Sequence, residues 1–306
     1  MSQHTGIPPN KPNNPYPISD NPSLTTVGII RDTWDEYMQD FLDLHPGFSI
    51  ERYTADGRPM NGVLHTIWDE IRQVHEHIMG WHPPHTKVAR YREELRDIVK
   101  RAGDVKNAVC MGLGRITQRG NFELKHEFVQ QCGVFFAMCQ IIEEEQGMPL
   151  NSLPKIFQDP DFQIEERYVL DTIGRQTIVW PPEANDSMNE HTFVYAPHFP
   201  MDVILDTILR PGSQPEILLC GTFGAELNAS GSPLAKHYIE QVYLTGNTAL
   251  DPRTIWMYDL LSRFLQSHHV FEFDGIYSQE NKLKKVLRHA FFGASIYVRK
   301  SGEAGL

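Results

Sequence analysis

The sequence predicts an α/β protein, a three-layer sandwich with a mostly parallel sheet, preceded by an N-terminal helical extension. Two observations lead to this prediction. From Val105 onward, short apolar runs typical of buried strands alternate with longer segments of helical character. Before Val105, apolar residues recur every three to four positions, which is the period of an α-helix. Strands that alternate with helices form a parallel sheet covered on both faces, so the expected architecture is Rossmann-like.

The part of the chain before this domain divides into two segments. Residues 1–24 are rich in Pro and Asn and contain no apolar signal core, which predicts a disordered tail. Residues 25–102 form the helical extension. Its apolar positions at helical spacing are Ile30, Trp34, Tyr37, Phe41 and Leu44, followed by Leu64, Ile67, Trp68, Ile71, Val74 and Ile78. A charged third helix over 86–102 is expected at the surface.

The predicted Rossmann-like domain covers residues 103–300. Its expected strands are 108–111, 155–158, 176–180, 192–196, 216–220, 270–277 and 293–299. Its expected helical segments are 124–142, 164–173, 201–209, 234–244, 254–265 and 282–289. Gly174 and the other turn residues between these segments set their ends.

Composition argues against several classes of protein. The 306 residues include 39 acidic and 28 basic ones, a net charge of −11 without a basic block, so we expect no nucleic-acid partner. The apolar runs fall short of the roughly 20 residues of a membrane span, so no membrane association is expected. The four cysteines lie in apolar surroundings and form no C-x-x-C pair. They predict buried reduced thiols in a cytoplasmic or nuclear protein, or one found in both compartments.

A Gly-x-Gly turn, Gly112-Leu113-Gly114, directly follows the first predicted strand. In open parallel sheets ligands bind outside the carboxyl ends of the strands, and glycine there lets the backbone approach them. Thr117 stands where the third glycine of a dinucleotide fingerprint belongs, so NAD or NADP is not expected. A methyltransferase-style site needs only Gly-x-Gly and an acidic residue at the end of the second strand, so the candidate cofactors are an S-adenosylmethionine-like molecule or a nucleotide. Asp159 occupies that position.

Three further residues complete the candidate ligand site, and two of them, Asp159 and His198, have an ordinary structural alternative. Asp159 is placed to accept hydrogen bonds from a ribose, or to form an Asx turn ahead of Pro160. His198 follows the fourth strand and suits proton transfer or a phosphate contact, or it is a loop histidine bonded to backbone. Gly221 follows the fifth strand. The candidate cofactor-binding set is Gly112, Gly114, Asp159, His198 and Gly221.

Two clusters of potential metal ligands are interpreted as structural. His75, His77, His82 and His85 crowd one stretch, but His75 and His77 point about 200° apart on a helix, so we expect a solvated helix end. Asp161, Glu165 and Glu166 complement the dipole at the start of a helix. We therefore predict no metal site, and no catalytic residue is assigned.

Four motifs occur in order: VCMGLGRI (109–116), FQDPDF (157–162), VYAPHFP (194–200) and LLCGTFG (218–224). Together they resemble the SRR1-like family, named after the plant "sensitivity to red light reduced" protein. The resemblance covers roughly 105–224. Arg115 departs from it by replacing a small polar residue, and Gly221-Thr222-Phe223-Gly224 replaces the usual Asn-Ser pair. The resemblance implies a Rossmann-like eukaryotic protein linked to light and circadian signalling, haem metabolism or microtubule biogenesis, without an established ligand.

Two functions follow as hypotheses. One is a regulatory protein that binds a small nucleoside-like ligand or a protein partner at the carboxyl edge of the sheet. The other is an S-adenosylmethionine-dependent methyltransferase-like enzyme. A pure interaction module, in which Trp34, Trp68 and Trp81 line a groove for a partner, explains the helical extension less simply than packing onto the sheet does.

Overall fold

The computed structural model describes residues 60–80, 89–116, 126–162, 166, 169–170, 176–179, 183–197, 199, 203–210, 214–223, 252–272 and 294–300. The predicted tail over 1–24, the helix around Ile30 to Leu44 and the helical segments 234–244 and 282–289 lie outside these residues. So do His82, His85, His198, Trp34 and Trp81.

A seven-stranded sheet forms the centre of the protein. Its strands are β1 (Asn107–Met111), β2 (Lys155–Gln158), β3 (Gln176–Val179), β4 (Thr192–Ala196), β5 (Ile217–Gly221), β6 (His268–Glu272) and β7 (Ala294–Arg299). Their order across the sheet is β3-β2-β1-β4-β5-β7-β6. The pairs among β1 to β5 are parallel, whereas β7 is antiparallel to both of its neighbours, β5 and β6. The predicted mostly parallel α/β fold is therefore confirmed.

The described helices are α1 (Met60–Met79), α2 (Ala89–Val99), α3 (His126–Glu145) and α4 (Pro252–Ser267), with a 3-10 helix at Glu183–Ser187 and a π-helical turn at Ile204–Ile208. None of these has the length and apolar character that a bilayer crossing requires.

Strand side chains alternate between two separate apolar layers because successive residues of a strand point to opposite faces. On β1, Ala108 and Cys110 pack with α1, α2 and α3, whereas Val109 and Met111 pack on the opposite face. On that opposite face the layer includes Ile204, Ile208, Leu260, Leu261 and Phe264. This division into two cores is what makes the molecule a three-layer sandwich.

The helix α3 packs on one face of the sheet, and α1 packs against the outer side of α3. Phe135 packs against Phe157 of β2 and Phe193 of β4, with ring centroids 5.1 and 5.8 Å away. On the other side Gly133 allows α1 to approach closely, because a Cβ added there would lie 2.6 Å from the Cβ of Val74. Trp68 of α1 is buried in the same layer. Within the described region, the helical extension therefore packs onto the sheet domain.

The charged helix α2 is tied to the end of α3 by ion pairs. The guanidinium of Arg92 lies 2.6 Å from the carboxylate of Glu144, and that of Arg96 lies 2.5 Å from Glu145. Its apolar face, Leu95, Ile98 and Val99, is buried. The predicted surface helix is thus exposed on one side only.

Three expectations need correction. His75 is not part of a solvated helix end but is buried on α1, where burial lowers the pKa of its imidazole to about 4. The sixth strand begins at His268, directly after α4 ends at Ser267, and not at Val270. The predicted helix over 201–209 contains a short π-helical turn, Ile204–Ile208, whose cap amide at Leu209 donates to the carbonyl of Ile204.

Candidate functional site

The candidate site lies where β1 ends, at the centre of the parallel part of the sheet. β2 pairs with one side of β1 and β4 with the other, so the segments that follow these three strands meet at one edge. We call residues 112–116 the glycine loop. Gly112 and Gly114 both adopt the left-handed backbone region, with φ of 75° and 71°. Side-chain-bearing residues rarely adopt this conformation, which accounts for glycine at both positions.

Gly112 makes room for an aromatic ring of the chain itself. A Cβ added at Gly112 would lie 2.4 Å from the Cε1 of Phe199, so only glycine fits beneath this ring. Phe199 belongs to the segment after β4, where its amide donates to the carbonyl of Ala196 over 3.4 Å. The absence of a side chain at Gly112 therefore allows the Phe199 ring to lie close to the backbone of the glycine loop.

Gly114 has open space in front of it and an acidic side chain behind it. No atom of the described residues comes within 4 Å of a Cβ placed at Gly114. Its amide donates to the Oδ2 of Asp159 over 2.7 Å, and the Oδ1 of Asp159 accepts from the amide of Asp161 over 2.8 Å. The second bond is an Asx turn, and the first brings Asp159 against the glycine loop. Gly112, Gly114 and Asp159 therefore lie together at the carboxyl edge.

A second carboxylate holds the end of the glycine loop. The Oε1 of Glu166 accepts from the amide of Ile116 over 2.7 Å, and Glu166 is only 2% exposed. Sequence reasoning assigned Glu166 to the dipole of a helix and did not connect it to the glycine loop. An acidic residue fifty positions away carries no local signal of such a contact.

Arg115 contributes the basic side chain of the glycine loop. Its Nε atom is buried and has no hydrogen-bond partner among the residues that the structure describes. A buried donor of this kind is costly unless an acceptor reaches it, so Arg115 is suited to contact an oxygen of a bound molecule.

Gly221 lies on the same side of the sheet, at the end of β5. A Cβ placed on it would be 3.9 Å from the carbonyl oxygen of Pro197, which follows β4. The next residues are anchored to β7: the Thr222 hydroxyl lies 2.8 Å from that of Ser295, and the Tyr297 hydroxyl accepts from the Phe223 amide over 2.8 Å. His198 falls outside the described residues, between the described Pro197 and Phe199.

The thiols near this edge are not activated nucleophiles. Burial raises the pKa of Cys110 on β1 and of Cys220 on β5 well above the usual range, and nearby groups including Asp159 add to the effect at Cys110. All four cysteines are free and buried. Over the ranges that the structure covers, no three His, Cys, Asp or Glu residues are grouped to hold a metal ion.

In the comparison with protein-family models, residues 87–298 match the SRR1 domain. The match starts just before α2 and ends within β7, so it includes every described strand. No curated protein and no solved structure matches the chain.

Proposed function

The chain belongs to the SRR1 domain family, and from this we propose that it is a regulatory protein that binds a small nucleoside-like ligand at the carboxyl edge of its sheet. The proposal places the protein in the cytoplasm, the nucleus or both. Its binding residues are Gly112, Gly114, Asp159, His198 and Gly221, with Arg115 added from the structure.

The observation that carries this proposal is the pairing of an open glycine with a carboxylate. Gly114 has free space above its Cα, and the Asp159 carboxylate lies 2.7 Å from its amide nitrogen. We expect the ribose of the ligand to lie in this space, with its hydroxyl groups donating to the Asp159 carboxylate. Ligands of open α/β sheets bind at this edge.

Binding without turnover is favoured by the chemistry of the described residues around this edge. The thiols are protonated and buried, and both oxygens of Asp159 already accept backbone hydrogen bonds. A carboxylate that binds two backbone amides in this way acts as a positioning group.

The test measures the thermal stability of the full-length protein with S-adenosylmethionine, S-adenosylhomocysteine, nucleosides, nucleotides and haem. A ligand that binds the folded state raises the melting temperature. Gly114→Asp should abolish the shift by placing a side chain and a charge in the open space. Gly147→Asp is a matched control, because Gly147 also has a positive φ of 65° and open space but follows α3, away from this edge.

No shift with any of these compounds would end the small-molecule proposal and leave a protein partner at the same edge. An equal loss of ligand binding in Gly114→Asp and Gly147→Asp would show that strain, and not the location of Gly114, is responsible.

A second candidate is an S-adenosylmethionine-dependent methyltransferase-like enzyme. It is favoured by the strand order β3-β2-β1-β4-β5-β7-β6 with a reversed β7, an arrangement typical of Rossmann-like methyltransferases. Because one fold hosts many functions, this is an argument by analogy. Transfer of a labelled methyl group from S-adenosylmethionine to an acceptor would establish it and overturn the regulatory proposal.

A further inference from the structure

We infer that the ligand at this edge carries an anionic group, a carboxylate or a phosphate, which the guanidinium of Arg115 binds. This inference rests on the proposed function and narrows the class of its ligand. It starts from the surroundings of Arg115 in the glycine loop.

Arg115 is partly buried, and the described residues give it no hydrogen bond and no ion pair. Its Nε atom is closed off from water. Other partly buried arginines of the protein differ in this respect, because Arg92, Arg96 and Arg299 each face a carboxylate. A buried charged donor without an acceptor raises the free energy of the folded state. A bound anion would offset this cost at Arg115.

The backbone of the glycine loop leaves the binding of an anion to this side chain. Anion sites in α/β proteins are commonly built from backbone amides that are free to donate. Here the amides of Gly112, Gly114 and Ile116 already donate to acceptors of the chain itself, over 3.3, 2.7 and 2.7 Å. Arg115 lies between two of these residues. Its guanidinium is therefore the charged donor that the loop offers to a ligand.

Arg115 also has the right neighbour for this role. It directly follows Gly114, in front of which the described residues leave open space, and successive Cα atoms are about 3.8 Å apart. A ligand in that space lies within reach of the arginine side chain. A guanidinium can bind a carboxylate or a phosphate through two parallel N–H bonds, which an uncharged acceptor does not match in strength.

Two kinds of nucleoside derivative supply such an anion. S-adenosylmethionine and S-adenosylhomocysteine carry a carboxylate on their amino-acid part, and nucleotides carry a phosphate. The anionic oxygens are common to both kinds, and binding measurements separate them.

The experiment is calorimetric titration of the full-length protein with adenosine, guanosine, cytidine and uridine, with their 5′-monophosphates, and with S-adenosylmethionine and S-adenosylhomocysteine. We expect at least one anionic derivative to bind about tenfold or more tightly than its parent nucleoside, as expected for a hydrogen bond between charged groups. Tighter binding of the adenosyl amino acids identifies a carboxylate, and tighter binding of a monophosphate identifies a phosphate.

The negative outcomes separate this inference from the proposed function. A nucleoside that binds as tightly as its anionic derivatives would overturn the inference while leaving the proposed function in place. If none of these compounds binds, the inference is lost, and the thermal test then decides the proposed function separately.

The variant Arg115→Met tests the residue itself, because it keeps an unbranched side chain and removes the guanidinium. The preference for the anionic derivative should disappear, whereas the affinity for the parent nucleoside should change less than about twofold. Arg101→Met is the matched control, since Arg101 is exposed, lies over the ring of Phe271 and precedes β1, at the opposite edge of the sheet. A preference that persists in Arg115→Met, or that falls equally in both variants, would overturn the inference.

The stability of the ligand-free variant separates ligand binding from a structural role. Removing a buried donor that has no partner among the described residues should leave the urea midpoint of Arg115→Met unchanged or raise it. A clearly lower midpoint, or a variant that does not fold, would show that the chain itself uses the guanidinium and would overturn the inference.

Discussion

Replacing Gly112 by alanine tests how the glycine loop and the segment after β4 fit together. Two costs are expected. The first is backbone strain. Gly112 has a φ of 75°, and a residue with a side chain in this conformation lowers the free energy of unfolding by roughly 1–2 kcal/mol. The second is steric, because the new Cβ would lie 2.4 and 2.5 Å from two carbons of the Phe199 ring. Overpacking of this kind costs about 1–3 kcal/mol.

Gly114→Ala separates the two costs. Gly114 has nearly the same φ, 71°, but the part of the chain that the structure describes places no atom within 4 Å of the added Cβ. Gly114→Ala should therefore lower the free energy of unfolding only by the cost of backbone strain, roughly 1–2 kcal/mol. Gly112→Ala should lose about 2–5 kcal/mol in total, so the difference between the two variants measures the steric part.

The assay is equilibrium unfolding of the full-length protein in urea, with the free energy of unfolding extrapolated linearly to water. A third variant, Phe199→Ala, completes the comparison. In that background the steric cost of Gly112→Ala should disappear, which corresponds to a coupling energy of about 1–3 kcal/mol between the two positions. Equal losses for Gly112→Ala and Gly114→Ala, or no coupling to Phe199, would refute the packing described for this loop.

Three other predictions concern different parts of the molecule. Gly133→Ala should lower the free energy of unfolding in urea by about 1–3 kcal/mol, because the added Cβ would clash with Val74. Alanine is the better helix former, so a gain in stability would show that the clash is absent. Asp159→Asn should lower the free energy of unfolding by about 1–3 kcal/mol, because a carboxamide has one acceptor oxygen for the two amides that Asp159 binds. An unchanged urea midpoint would argue against these bonds. Burial lowers the pKa of His268 to about 4 in the folded protein. Between pH 6.5 and 4 the unfolded state therefore binds more protons at this residue than the folded state does. The free energy of unfolding should accordingly fall by up to about 3 kcal/mol as the pH drops from 6.5 to 4. Unfolding curves at several pH values should show a shallower loss in His268→Gln, and an identical slope in both proteins would exclude this histidine as a cause.

The strands and the central part of the site were predictable because their signals are local. A buried strand requires an apolar run, and 155–158 and 192–196 were assigned with the bounds that the structure shows. The meeting of Gly112, Gly114 and Asp159 follows from parallel pairing, which brings the ends of neighbouring strands to one edge. Their role in binding remains a prediction.

Apart from the burial of His75, the features that the sequence does not predict depend on contacts between distant residues. Glu166 reaches Ile116 across fifty positions, and Phe199 covers Gly112 from another strand end, so neither contact leaves a local pattern. The burial of His75 did have a signal. His75 lies four residues after Ile71 and three before Ile78, on the apolar stripe of α1. The reversed direction of β7 has no equivalent signal, because apolar runs do not encode strand polarity.

The position of β7 has a consequence for how the chain is made. β7 is the last of the described strands along the chain, yet it inserts between β5 and β6 and hydrogen-bonds to both. During translation, one edge of β5 therefore stays unpaired, and β6 has no neighbouring strand, until residues 294–299 have left the ribosome. The nascent chain is thus exposed to strand-to-strand aggregation until residues 294–299 are synthesised, and a premature stop codon before Ala294 would make that exposure permanent.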